Sequence, residues 1–159
     1  MTENHENTFE NQEENKVVAN DITFFMPGNF EEAEVVESPI SKRFKDNEGK
    51  IIPFRFKPLS TERVDEIEEL NQKTVRQKGK ILGRETDFAR FIAHVAVETT
   101  IYPNFKDEKF RQAYGTQDPI EIAKKVLNVA GEYSNWIAKI SEVNGFDDTI
   151  DELEEAAKN

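Results

Sequence analysis

The stretch TDFARFIAHVAVETT, residues 86–100, decides the fold. Phe88, Phe91, Ile92, Val95, Ala96 and Thr99 recur at helical spacing and form one apolar stripe. Ala89, Ala93 and Val97 widen that stripe with small side chains, so neighbouring helices can approach closely. The polar remainder is narrow: Asp87 at the start, then Arg90, His94 and Glu98 four residues apart. A helix this apolar needs cover on most of its surface. The spacing predicts a central core helix around which the other segments are arranged.

Upstream, residues 33–44 and 51–59 predict two strands joined at Asp46-Asn47-Glu48-Gly49, where Gly49 is free to take positive φ. Ile52, Phe54 and Phe56 alternate with Arg55 and Lys57, which suits a ribbon with one dry side. Pro53 and Pro58 point to an edge strand. Helices are expected at about 60–72, 86–100, 107–114, 119–128 and 132–144, with Ser60 and Asp118 as N-caps. Pro119 and Glu121 strengthen the fourth start, and Pro103 ends the central helix. Tyr133, Trp136, Ile137, Ile140 and Val143 give the last helix its buried face, closed by Gly145. Residues 73–84, KTVRQKGKILGR, hold five bases and no acid, and read as a mobile basic loop. The expected architecture is mainly α with a small N-terminal β-hairpin: an α+β chain built as a compact helical bundle over residues 22–146.

The ends differ from this body. Residues 1–21 carry six acids and one lysine, as do residues 145–159, while 22–144 carry twenty acids against nineteen bases. Residues 1–21 predict a disordered acidic arm, and 147–159 a frayed acidic tail. Between arm and body, ITFFMPGNF at residues 22–30 places Phe24, Phe25, Met26 and Phe30 beside a Pro27-Gly28 turn. These four are the candidate partner-binding residues. Two readings stand: the aromatics plug the core, or they form a docking motif on a flexible tether.

A net charge of −11, with no net cationic face, argues against nucleic acid as the partner. Cysteine is absent, which removes disulfides, zinc–thiolate sites and cysteine nucleophiles. No apolar run approaches the ~18 residues of a membrane span, and the first residues are no secretory signal. The expectation is a cytosolic chain with no membrane or nucleic-acid partner. The search for chemistry returns no catalytic, metal or cofactor residues. His5 lies in the acidic arm and His94 on the polar strip, and no HExxH occurs. Gly79-Lys80 lacks the phosphate-loop spacing, and Asp46 to Gly49 lacks the distal Glu of a calcium loop. No GxSxG occurs, and the carboxylates fall on exposed faces where nothing separates their pKa values.

Several pieces appear in a fixed order: Ser41-Lys42-Arg43-Phe44, then Asp46-Asn47-Glu48-Gly49-Lys50, Glu85-Thr86-Asp87-Phe88, Tyr102-Pro103-Asn104, Tyr114-Gly115, Gly131-Glu132-Tyr133 and Asn144-Gly145-Phe146-Asp147. In that order, from Ser38 onward, the chain resembles the XkdN-like tail assembly chaperones of phages and defective prophages of Gram-positive bacteria. It departs at Val129-Ala130, where that family often has Leu-Pro, and its N-terminal arm is longer. The resemblance implies a non-enzymatic role in virion morphogenesis, in the host bacterial cytoplasm and not in the mature virion. It implies binding to the long helical tape measure protein, kept soluble until tube subunits polymerise around it. The tail tube protein and self-association are further partners in this reading, and helix-in-groove docking is its mode. Many such genes also make a longer product by ribosomal slippage, and Ala157-Lys158-Asn159 can be encoded with the heptamer A AAA AAC. Two other classes compete: a phage structural or adaptor protein retained in the virion, and a small regulatory protein-binding domain.

Overall fold

A computed structural model of the chain describes residues 20–148 and 150–158. The chain divides into two compact units, residues 1–32 and 33–159. Most of the acidic arm expected at 1–21 lies outside the described residues. In the first unit, Asp21 caps a 3-10 turn at Ile22–Phe25, its Oδ1 accepting from Thr23 N at 2.9 Å. Pro27 and Gly28 then turn the chain, with Gly28 at φ +85 and Asn29 N donating to Met26 O at 3.0 Å.

The second unit opens with strands β1 (Val36–Ser38) and β2 (Phe54–Phe56). Helix α1 (Thr61–Leu70) follows, then β3 (Gln72–Gln77), β4 (Lys80–Thr86) and α2 (Phe88–Thr99). After α2 come β5 (Thr100–Tyr102), α3 (Glu108–Tyr114), α4 (Pro119–Val126), α5 (Ala130–Val143) and α6 (Ile150–Lys158). Ser60, Asp87, Asp107 and Asp118 cap α1, α2, α3 and α4 through side-chain oxygens that accept backbone N–H groups.

A mainly helical bundle with a single hairpin is not what forms. Among the described residues the chain is α+β, with six α-helices and five strands in two antiparallel sheets. Two local causes account for the difference. Where α2 ends, Thr100 and Ile101 are β-branched and Tyr102 is aromatic, so the chain extends and pairs with β2. This makes β2 the middle strand of the order β1-β2-β5 rather than an edge. Pro53 and Pro58 do not prevent it, because they flank the three paired residues instead of interrupting them.

The second cause lies in residues 73–84, where a mobile loop was expected. Lys78 (φ 49) and Gly79 (φ 76) make a two-residue turn with both central residues at positive φ. That turn matches strand twist, so Thr74, Val75 and Ile81 extend on either side of it as β3 and β4. Beyond α5, the acidic tail carries helix α6, with its side chains exposed.

Around α2 the core closes as its stripe requires. Ala93, Val95, Ala96, Val97 and Thr99 are buried, with α1, α4 and α5 packed alongside. Phe88, 70% exposed, and Ala89 stay open at the start of the helix beside the end of β4, and Phe91 and Ile92 are half-buried. Trp136 is fully buried and meets Phe105 edge-on at 5.4 Å and Tyr133 at 5.6 Å. Its Nε1 donates to Thr100 Oγ1 at 2.9 Å, and that hydroxyl donates to Ala96 O at 2.8 Å. The one polar atom of the indole is thereby satisfied in the core.

Candidate functional site

Three helices leave a groove of about 710 Å³. Ala89, Ile92 and Ala93 of α2 form one wall, Tyr133, Ser134, Ile137 and Ala138 of α5 the other, and Ile120 and Lys124 of α4 close one side. Ala93 and Ile120 are buried in the floor, while Ile92, Tyr133 and Ile137 are half-buried. Ala89 and Ala93 stand four residues apart on α2, as do Ser134 and Ala138 on α5, so a third backbone could come close to both. At the rim, Arg90 pairs with Asp118 at 3.1 Å and Lys124 Nζ lies 5.9 Å from the Tyr133 ring centroid. Burial pushes the Tyr133 hydroxyl above its usual pKa. The rim charges are thus taken up locally, and the remaining surface is apolar and open.

Polar networks hold the helices that frame this groove. Glu132 starts α5 and is nearly buried. Its Oε2 accepts from Arg43 Nε at 2.8 Å and from the Ser41 hydroxyl, and its Oε1 from Arg43 Nη2 at 2.6 Å and Val129 N at 3.2 Å. Arg43 Nη2 also donates to Val126 O at 3.2 Å and Asn128 Oδ1 at 3.0 Å, tying α4 to the same point. The Arg43 hydrogen bonds, against the cost of burial, hold the Glu132 carboxyl down at about 2. Two of the pieces quoted above, Ser41 to Phe44 and Gly131 to Tyr133, therefore meet across about ninety residues.

On the other side of α2, Arg63 of α1 grips Glu98 through two bonds of 2.7 and 2.5 Å and holds Glu66 at 2.6 Å. The Arg63 bonds lower the Glu98 pKa. Asn71 Nδ2 donates to Ile67 O at 2.7 Å, which fixes the orientation of its amide. The same nitrogen lies 2.9 Å from His94 Nδ1, so Nδ1 accepts and the imidazole proton sits on Nε2. Burial keeps this histidine below its usual pKa. His94 is thus a hydrogen-bonded residue at the boundary of the core. Asn144 forms the third clamp, accepting from Leu59 N at 2.9 Å and donating to Thr99 Oγ1 at 3.0 Å.

The sequence-predicted candidates Phe24, Phe25, Met26 and Phe30 belong to the first unit, each exposed over 42–77% of its surface. The groove is built wholly from the second unit. The small residues of α2 stand out in its sequence, whereas their partners on α5, Ser134 and Ala138 at the same four-residue spacing, do not. Arg43 and Glu132 lie 89 residues apart, and no local signal links them. Among the described residues, no cluster of three His, Asp or Glu gathers for a metal, and no helix is long and apolar enough to cross a membrane.

Comparison with known proteins gives one consistent result. Residues 22–158 match the family model described as phage XkdN-like tail assembly chaperone protein, TAC. The chain is 57% identical to YqbN of Bacillus subtilis (strain 168) over 139 residues, covering 87% of this chain and 93% of YqbN. It is 47% identical over 159 residues, the whole of both chains, to the phage-like element PBSX protein XkdN of the same strain. The crystal structure of YqbN superposes with a TM-score of 0.70 at 52% identity, covering 80% of this chain and 98% of that one.

Proposed function

The chain belongs to the phage XkdN-like tail assembly chaperone family, and from that premise we propose that its client is the phage tape measure protein. It acts without catalysis, in the host cytoplasm, and leaves before the virion is complete. A long helical client exposes apolar stripes that aggregate unless something covers them reversibly. The groove between α2, α4 and α5 is the observation that carries this reading. Its small walls admit a helix backbone, and its apolar floor takes the helix's stripe. The exposed aromatics Phe24, Phe25, Met26 and Phe30 supply a second contact.

Co-expression tests the proposal. The tape measure protein from the same phage element should be soluble with the wild-type chain and mostly insoluble without it. Ala138→Trp fills the groove from an exposed position, so it should abolish the rescue while leaving Tm unchanged. Equal solubility of the client with and without the chain overturns the reading. Recovery of the chain from purified particles by mass spectrometry overturns its departure from the virion.

A further inference from the structure

The β3–β4 ribbon stands apart from the groove. Among the described residues it pairs with no third strand, so both its outer edges are open. Asp87 N donates to Asn71 O at 2.8 Å across its base, and Gln72 Nε2 donates to Thr86 Oγ1 at 2.8 Å, which fixes its root between α1 and α2. Residues 72–86 carry five bases and one acid, a net +4. Near the root, Lys73 meets Glu85 and Arg84 meets Glu69, each at 3.6 Å. Towards the tip, Arg76, Lys78 and Lys80 have no carboxylate within ion-pair distance among the described residues.

Charge alone would be ordinary protection of a strand edge. The tip does more than that, because Ile81, directly opposite Arg76, and Leu82 are each 63% exposed. A purely protective edge has no use for two adjacent aliphatic side chains in water. Helix α6 is the converse surface. It carries four acids and one lysine, a net −3, with Ile150 and Leu153 one turn apart and 70% and 52% exposed. Each surface has two uncovered aliphatics within a charge field of one sign, and the signs are opposite.

Reach decides which copy supplies the helix. Asn144 binds both Leu59, just before α1, and Thr99, the last residue of α2. The ribbon's root lies at the other ends of those two helices, about 15–18 Å away at 1.5 Å per residue. The five residues from Gly145 to the start of α6 extend to at most about 17 Å. The start of a chain's own α6 therefore reaches no farther than the root, where the cations already have partners, and Leu153, three residues into the helix, adds only about 5 Å. Leu82 and Ile81 stand four and five residues along β4 from its root at Thr86, about 13–17 Å farther on. We infer that the tip of the β3–β4 ribbon receives helix α6 of a second copy, with Ile81 and Leu82 against Ile150 and Leu153 and the basic side chains against its acidic flanks.

The contact joins two different surfaces, so each copy both gives a helix and accepts one. It needs no client and shares no residue with the groove, so it can fail or stand independently of the chaperone reading. Sedimentation of the full chain up to about 200 µM should show reversible self-association at about 0.05 M salt that weakens at about 0.5 M. Reversing the ribbon with Arg76→Glu and Lys80→Glu, or the tail with Asp151→Lys and Glu154→Lys, should weaken association about tenfold or more. An equimolar mixture of the two variants should restore it, since each carries the charge the other lacks. Far-UV circular dichroism checks that both variants fold. A wild-type monomer throughout that range overturns the inference, as does association indifferent to either reversal or a mixture that restores nothing.

Discussion

Replacing Glu132 with Gln tests the clamp that joins the β1–β2 connection to the helical body. The substitution keeps the side chain's size and one acceptor oxygen but removes the charge that two Arg43 nitrogens and Ser41 address. The carboxyl is held at about 2 against an ordinary 4.5, a gap equivalent to about 3 kcal/mol of stability if fully expressed. Arg43 is 47% exposed, and water shares its charge, so the expected loss is smaller, about 2 kcal/mol. For a body of this size that lowers Tm by roughly 6–10 °C. The sign of the pH dependence follows from the depressed pKa. The contribution is complete above the unfolded value of 4.5 and is lost as pH falls towards about 2. Urea unfolding of both proteins at pH 7 and pH 3 is the assay. The variant should be less stable by about 2 kcal/mol at pH 7 and by less than half of that at pH 3. A difference below about 0.5 kcal/mol at pH 7, or one equal at both pH values, would refute the assignment of that energy to the Arg43–Glu132 pair.

Two further outcomes follow from the same structure. Asn144→Ala leaves Leu59 N and Thr99 Oγ1 without their partner, so urea unfolding should show a loss of about 1–3 kcal/mol, and a neutral result would mean that water replaces the clamp. Phe24→Ser combined with Phe25→Ser should leave Tm unchanged while weakening capture of the tape measure protein in a pull-down, and a large drop in Tm would make the two aromatics part of the core instead.

The central helix was legible in the sequence because its signal is local: an apolar stripe of a dozen residues with an Asp cap in front of it. The same holds for Asp118-Pro119 and for Asp46 to Gly49, where Asp46 Oδ1 accepts from Glu48 N and Lys50 N and Gly49 takes φ +80. The β3–β4 ribbon was illegible for an equally local reason. Lys-Gly is a weak form of the Asn-Gly turn signal, and the polar residues around it hide the alternation that marks a strand. Strand β5 was hidden differently: three residues after a helix carry too little pattern, and only β2 gives them a ladder. Nor could spacing show which distant side chains meet.

The pieces that carry the family resemblance turn out to bond mainly to one another and to the backbone. Arg43 and Ser41 hold Glu132, Asn144 holds Leu59 and Thr99, and Asp87 caps α2. Asn104 Oδ1 accepts from Lys106 N to turn the chain after β5, and Gly115 ends α3 at φ +66. Each of these six residues has a structural partner within the body and so helps to specify the fold. In the proposed reading, client recognition falls mainly on other side chains, although Tyr133, one of the quoted residues, forms part of the groove wall. Two surfaces that those bonds leave open are the walls of the groove, which include Ala89, Ile92, Ile137 and Ala138, and the tip of the ribbon at Arg76, Lys80, Ile81 and Leu82. If the proposed function holds, two chains can share most of the quoted pieces, and with them the fold, while differing in the client they hold.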